Sequence, residues 1–125
     1  MIHHVSVGTN DVARARAFYD AVLPIVGLAL MKASDRAVDY GSGHLLFSAE
    51  TPLDGAPATA GNGSHIAFAV EDRAMVDRFH ATALANGGTS DGAPGIRADY
   101  DAHYYGAFVR DPDGNKIEAM TYSAK

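Results

Sequence analysis

The sequence contains no cysteine and no tryptophan, and only three of its 125 residues are glutamate. The absence of cysteine excludes disulfide scaffolds, zinc knuckles, iron–sulfur clusters and thiol nucleophiles. A metal ion bound by this chain must therefore be held by histidine and carboxylate side chains, because methionine is the softest donor that remains.

Basic residues and long apolar runs are also scarce. Ten Lys and Arg stand against fifteen Asp and Glu, a formal charge of −5, and such a surface repels the phosphate backbone of nucleic acids. The longest apolar stretch, residues 21–31, contains Pro24 and Gly27 and is too short to span a bilayer. We expect a cytoplasmic protein that binds neither nucleic acid nor membrane, folded as a single domain over residues 1–125.

The sequence repeats itself once, at an offset of 61 residues. Residues 4–11 (HVSVGTND) resemble residues 65–72 (HIAFAVED), since each segment opens with a histidine and carries an aspartate seven residues later. The same offset aligns four further identical pairs: Ala13 with Ala74, Phe18 with Phe79, Leu23 with Leu84, and Gly27 with Gly88. These matches indicate a duplicated module, with residues 1–60 forming the first copy and 61–125 the second.

Hydrophobic periodicity predicts one strand, one helix and then three strands in each module. In the first module we predict strands over residues 5–8, 28–33, 36–40 and 44–49, and a helix over about 12–23. In the second we predict strands over 64–70, 103–110 and 115–122, a weak strand near Thr89, and a helix over about 73–85. The last two strands flank the turn sequence Asp111-Pro112-Asp113-Gly114. The predicted fold is α+β, with two tandem βαβββ modules.

Several segments resemble a known superfamily. They are Ile2-His3-His4-Val5, Ala17-Phe18-Tyr19, Ser64-His65-Ile66-Ala67-Phe68, and the run from Tyr104 through Asp111-Pro112-Asp113-Gly114-Asn115 to Glu118. With them the chain resembles the vicinal oxygen chelate superfamily, which includes glyoxalase I, fosfomycin thiol transferases, extradiol dioxygenases and bleomycin-resistance proteins. The resemblance covers nearly the whole chain. It implies a curved mixed sheet around a cavity, with the helices on the outer face, but it does not specify a reaction.

Strand alternation predicts which side chains share the face away from the helices. Val5 and Val7 alternate with polar positions, so His4 points to the opposite face of its strand. The same alternation turns His65 and Glu118 away from the apolar residues beside them. Three polar groups from three strands are thereby predicted to converge on one cavity.

The resemblance assigns these three residues as ligands of a divalent metal. His4, His65 and Glu118 occupy the strand positions that carry metal ligands in the superfamily, with Glu118 also the candidate catalytic residue. Two histidines and one carboxylate suit iron, manganese, nickel or zinc. An isolated histidine on a strand is more often structural, but two of these residues occupy matching positions of the repeat.

One departure separates this sequence from glyoxalase I, which uses a fourth ligand on the last strand of its first module. Aligning the hairpin glycines Gly43 and Gly114 places Phe47 opposite Glu118, and phenylalanine cannot bind a metal. Three-ligand members, such as the fosfomycin transferases and the extradiol dioxygenases, therefore match the ligand count better.

The remaining candidates are aromatic and basic residues near the expected cavity. We predict a substrate pocket lined by Phe47, Arg97, His103, Tyr104 and Tyr105, suited to an anionic or aromatic ligand. A surface loop with edge-strand aromatics would account equally well for the last four residues.

Two functions from different classes follow. The first is a metal-dependent lyase, isomerase, transferase or dioxygenase acting on a small oxygen-bearing molecule, with the metal as Lewis acid. The second is a non-catalytic protein that binds a drug or metabolite, in the manner of bleomycin-resistance proteins. In either case we expect a homodimer, because an open sheet edge tends to pair with another strand. The metal ligands then come either from one chain or from two.

Overall fold

A computed structural model describes residues 1–125 and contains the predicted order of elements. The first module comprises β1 (Val5–Gly8), α1 (Val12–Val22), a 3₁₀ turn (Leu23–Val26), β2 (Ala29–Ala33), β3 (Ala37–Gly41) and β4 (Leu45–Glu50). The second comprises β5 (His65–Ala69), α2 (Arg73–Ala85), β6 (Thr89–Ile96), β7 (Tyr105–Arg110) and β8 (Lys116–Thr121). The prediction of two βαβββ modules is confirmed, and the weak strand near Thr89 is a full strand of eight residues.

The strands form two four-stranded mixed sheets with the same topology. The order is β1-β4-β3-β2 in the first sheet and β5-β8-β7-β6 in the second. In each sheet the first strand of the module runs parallel to the last one, and the other pairings are antiparallel. The final strand of each module is therefore flanked on both sides.

The helices begin where the repeat places an aspartate. Asp11 accepts a hydrogen bond from the backbone N–H of Arg14, and Asp72 accepts one from Met75. Both are N-caps that satisfy a free amide of the first turn. Neither helix has the length and apolar character needed to cross a membrane.

One apolar core joins the two modules. Helix α1 buries an apolar stripe formed by Ala15, Phe18, Tyr19 and Val22. The core cluster of 15 residues also includes members from α2, β7 and β8, namely Phe79, Ala83, Val109, Ile117 and Ala119. The helices thus lie between the sheets' apolar faces and solvent, leaving the opposite face of each sheet for polar side chains.

The turn between β7 and β8 ties the second module to the first through a buried carboxylate. Asp111 Oδ2 accepts hydrogen bonds from the Tyr19 hydroxyl at 2.6 Å and from Asn115 Nδ2 at 2.9 Å. Asp111 Oδ1 accepts from the backbone N–H groups of Asp113 and Asn115, each at 2.9 Å. Asn115 Nδ2 also donates to the carbonyl of Gly8 at the end of β1.

A second carboxylate in the same turn reinforces this junction. Asp113 accepts hydrogen bonds from the Thr9 hydroxyl at 2.6 Å, the Asn10 backbone N–H at 2.9 Å and Arg14 Nη2 at 2.7 Å. The turn predicted only to reverse the chain therefore also connects β7 and β8 to the β1–α1 segment.

We predict that Asp111→Ala lowers the free energy of unfolding by about 3 kcal/mol or more, because it leaves buried donors without acceptors. Tyr19→Phe removes one charge-assisted hydrogen bond and should cost about 1.5 kcal/mol. Urea denaturation followed by circular dichroism measures both values.

The matched control is Asp35→Ala, which removes an exposed aspartate and should change stability by no more than about 0.5 kcal/mol. Equal stabilities of the Asp111→Ala and Asp35→Ala variants would contradict the role given to the turn.

Candidate functional site

The second sheet brings together two of the three predicted metal ligands. His65 opens β5, and Glu118 lies on β8 opposite Ala67, with Ile117 and Ala119 pointing into the core on either side. Strand alternation therefore puts the Glu118 carboxylate on the face away from the helices. His65 Nε2 lies 3.2 Å from Glu118 Oε1, and the side chains are 44% and 1% exposed, respectively.

Tyr104 holds the other oxygen of the same carboxylate. Its hydroxyl donates a short hydrogen bond to Glu118 Oε2. Gly106 on β7 leaves room for this contact, since a Cβ atom there would lie 3.1 Å from Glu118 Oε2 and 3.2 Å from the Tyr104 ring. Both carboxylate oxygens are therefore occupied by side chains of the second module.

The electrostatics of this arrangement keep Tyr104 protonated. Burial raises the pKa of Tyr104 above its usual value of 10.0, and the hydrogen bond to Glu118 is the second largest cause of the rise. Its ring packs edge-on against Tyr100 at 5.0 Å and Tyr122 at 5.5 Å between centroids. The phenol thus acts as a fixed donor that orients the carboxylate.

His4 does not join the pair within one chain. It lies before β1, is exposed, and its Nδ1 is 2.9 Å from His3 Nδ1, while the His3 ring packs 5.0 Å from that of His44. His4 and His65 line a common cavity of about 440 Å³, but no group of three His, Asp or Glu side chains is arranged to hold a metal ion.

Phe47 lies in the core rather than in a substrate pocket. It is fully buried, and its ring packs 4.8 Å from Tyr19 and 5.8 Å from Phe68. The register explains the difference, because β1 pairs Ser6 with Ser48 in the way that β5 pairs Ala67 with Glu118. Ser48, and not Phe47, is thus the counterpart of Glu118.

An irregularity in the first module caused this error of one residue. The β3–β4 pairing shifts between Tyr40 and Gly41, whereas β7 and β8 pair without a shift. Counting from the hairpin glycines therefore does not align the two final strands. Serine is not a typical metal ligand, so the mismatch with a four-ligand glyoxalase I site remains.

The other predicted pocket residues separate onto two faces. Tyr105 faces the helices, where its hydroxyl donates to Asp77 of α2 at 2.6 Å and its ring lies 5.0 Å from the Arg73 guanidinium. His103 is exposed in the turn before β7, and its backbone N–H donates to Asp101. Only Arg97 and Tyr104 lie on the face that carries His65 and Glu118.

Phe108 is a site residue that the sequence reasoning missed. It is the cross-strand partner of Glu118, and its ring lies 6.1 Å from that of His65. The Arg97 guanidinium and the Lys116 ammonium lie 5.4 Å and 4.9 Å from the ring centre. The alternation of β7 around the buried Val109 was the available signal for placing it here.

Comparison with known proteins agrees with this architecture. Residues 1–119 match the family model of the Glyoxalase/Bleomycin resistance protein/Dioxygenase superfamily. The chain belongs to this superfamily. The earlier resemblance is thereby confirmed for the family, which includes members of several different activities.

Solved structures of the superfamily are similar over nearly the whole chain. A glyoxalase/bleomycin resistance protein from Albidiferax ferrireducens T118 is 43% identical, with a TM-score of 0.87, over 97% of this chain and 98% of that one. A lactoylglutathione lyase from Agrobacterium tumefaciens is 23% identical, with a TM-score of 0.68, over 97% and 92% of the two chains. At that identity the second likeness shows the fold alone. No curated protein matched the sequence.

We predict that Tyr104 does not ionise in the folded glyoxalase-superfamily domain as the pH rises through 10. Its raised pKa favours the neutral phenol, so the stability it contributes is present below the unfolded pKa of about 10 and is lost above it. Phenolate absorbance near 295 nm reports the titration. Wild type and Tyr104→Phe should give the same absorbance up to about pH 11.

The chain has six tyrosines, so one that titrates normally supplies a sixth of the full signal. If the absorbance change near pH 10 were smaller in Tyr104→Phe than in the wild type by a sixth of the full signal, the Tyr104 phenol would not be held by Glu118.

Proposed function

We propose that the protein is a metal-dependent enzyme that binds a divalent ion through His65 and Glu118 and acts on a small oxygen-bearing molecule. The 3.2 Å separation between His65 Nε2 and Glu118 Oε1 carries the proposal. Adjacent ligands of an ion with bonds of about 2.1 Å lie about 3 Å apart, so these two atoms are spaced as neighbouring donors. An imidazole and a carboxylate suit Fe²⁺, Mn²⁺, Ni²⁺ or Zn²⁺.

His4 is the third ligand of this proposal. It is exposed and precedes β1, and only its Nδ1 has a side-chain partner, so its Nε2 can serve a site built mainly by another part of the protein. That site belongs either to the same chain, after a shift of residues 1–4, or to a second copy in a homodimer. The cavity that His4 shares with His65 favours the first arrangement. The contacts of His3 with His4 and His44 favour the second, because a shift of residues 1–4 would break them.

Each side chain has a distinct role in the proposed reaction. The metal, when bound, supplies Lewis-acid stabilisation of negative charge on a substrate oxygen. Glu118 is the catalytic residue, and a lone pair of its Oε1, the oxygen on the His65 side, accepts a proton from the substrate. Tyr104 donates to Oε2 and orients the carboxylate so that Oε1 faces His65. The 1% exposure of Glu118 limits its contact with water.

We predict that the wild-type protein binds about one Mn²⁺ or Zn²⁺ per chain after reconstitution, measured by calorimetry and elemental analysis. His65→Ala and Glu118→Gln should each weaken binding by more than the roughly 10–100-fold typical of losing an outer-sphere partner. His80→Gln is the matched control, because His80 lies on α2 and bonds to Ser90. A wild-type protein that takes up none of the ions Fe²⁺, Mn²⁺, Ni²⁺ and Zn²⁺ would overturn the proposal.

Mixing variants distinguishes the two sources of His4. If the ligands come from two chains, His4→Ala mixed with His65→Ala yields heterodimers that contain one intact site, and metal binding returns in part. If they come from one chain, the mixture binds no metal. A His4→Ala variant that binds the metal as tightly as the wild type would exclude His4 from the site.

A second candidate function is non-catalytic binding of a drug or metabolite. It is favoured by one observation, namely that no buried side-chain nitrogen or oxygen lacks a hydrogen-bond partner. Both oxygens of the buried Glu118 carboxylate therefore have hydrogen-bond partners without an ion.

The binding function predicts an affinity for metal-free bleomycin that is the same in wild type and in a His65→Ala, Glu118→Gln double variant, measured by calorimetry. The enzyme proposal predicts no such affinity. A wild-type protein with no affinity for bleomycin would contradict the binding function.

A further inference from the structure

Arg97 presents a fixed positive charge on the face that carries His65 and Glu118. Its Nη1 donates to the Gly95 carbonyl at 3.0 Å and its Nη2 to the Ala93 carbonyl at 2.7 Å. Arg14, Arg16 and Arg110 each pair with an aspartate, whereas Arg97 forms no ion pair. The guanidinium is held in place without a neutralising carboxylate.

Strand β6 is shaped around this guanidinium. A Cβ atom on Gly92 would lie 3.1 Å from Nη2, and one on Gly95 would lie 3.2 Å from Nη1. The β6–β7 pairing also shifts on both sides of Gly92. Together the glycines and the irregular pairing leave a space for the guanidinium, which side chains on a regular strand would occupy.

The ring of Phe108 lies between the Arg97 guanidinium and the His65–Glu118 pair. The Phe108 ring is 5.4 Å from the Arg97 guanidinium carbon and 6.1 Å from the His65 ring centre. Phe108 is also the cross-strand partner of Glu118. A small molecule lying across Phe108 would reach both groups.

We infer that Arg97 binds the carboxylate of a small substrate whose oxygen-bearing carbon lies at the His65–Glu118 pair. Guanidinium has five N–H donors, and the two carbonyls use two of them. The remaining three have no acceptor within the chain, and guanidinium N–H groups match the planar, two-oxygen geometry of a carboxylate. This inference rests on the proposed function for the position of the chemistry, and it adds the substrate class, a carboxylate with a neighbouring oxygen.

The test uses metal-free protein, so that anion binding is read separately from metal binding. At 13.1 kDa the chain suits amide NMR. L-lactate, its neutral analogue 1,2-propanediol and inorganic phosphate are each titrated into the protein in separate experiments. Lactate should shift the amide signals of Gly92, Gly95 and Arg97, and propanediol should not. If phosphate binds and lactate does not, the carboxylate assignment is wrong.

Variants assign the effect to the guanidinium. Arg97→Gln should weaken lactate binding by about tenfold or more, as expected for the loss of a hydrogen bond to a charged group, and Arg97→Lys should retain part of it. Arg78→Gln is the matched control, because it removes the same charge from an exposed position on α2. Thermal denaturation of each variant shows whether the fold is intact.

Equal lactate affinities for wild type and Arg97→Gln, or no lactate binding by wild type, overturn the inference. Its failure is distinguishable from that of the proposed function. If metal binding depends on His65 but lactate binding does not depend on Arg97, only the carboxylate subsite fails. If Arg97-dependent lactate binding occurs in a protein that takes up no metal, only the metal-dependent function fails.

Discussion

The buried carboxylate of Asp111 is the interaction on which the relation between the two modules depends. It accepts hydrogen bonds from α1 of the first module and from its own turn, and its partner Asn115 reaches the end of β1. The strands on either side of this turn carry Phe108 and Glu118. The same contact that joins the modules therefore also determines where the site strands lie relative to β1 and the histidines before it.

The duplication gives both modules one topology, but only the second carries the candidate catalytic group. At the positions of Phe108 and Glu118 the first module has Asp39 and Ser48, which are hydrogen-bonded to each other at 2.8 Å. Because the core faces of both sheets are apolar, the fold tolerates either pair on the opposite face. Divergence of that face leaves packing intact while changing the chemistry.

The site is held by residues of two kinds, polar side chains and glycines. Tyr104 and His65 contact the Glu118 carboxylate directly. Gly106 leaves room for the tyrosine–carboxylate contact, and Gly92 and Gly95 leave room for the Arg97 guanidinium. Small residues on β6 and β7 are therefore as important to the geometry as the polar side chains they accommodate, since a Cβ atom at any of them would contact a functional group.

The repeat and the order of strands and helices were predictable, because they follow from self-similarity and from hydrophobic periodicity along the chain. Alternation along a strand also placed Glu118 correctly, since neighbouring side chains must point to opposite faces. Phe47 and Tyr105 were misplaced for a different reason. A register shift at Tyr40 and the pairing of Tyr105 with Asp77 depend on neighbouring strands and a helix, which are distant in sequence. By itself the sequence determined the family, the modules and the donor types. Only the tertiary structure decided which donors meet, because the distance between side chains on separate strands is a property of the packed sheets.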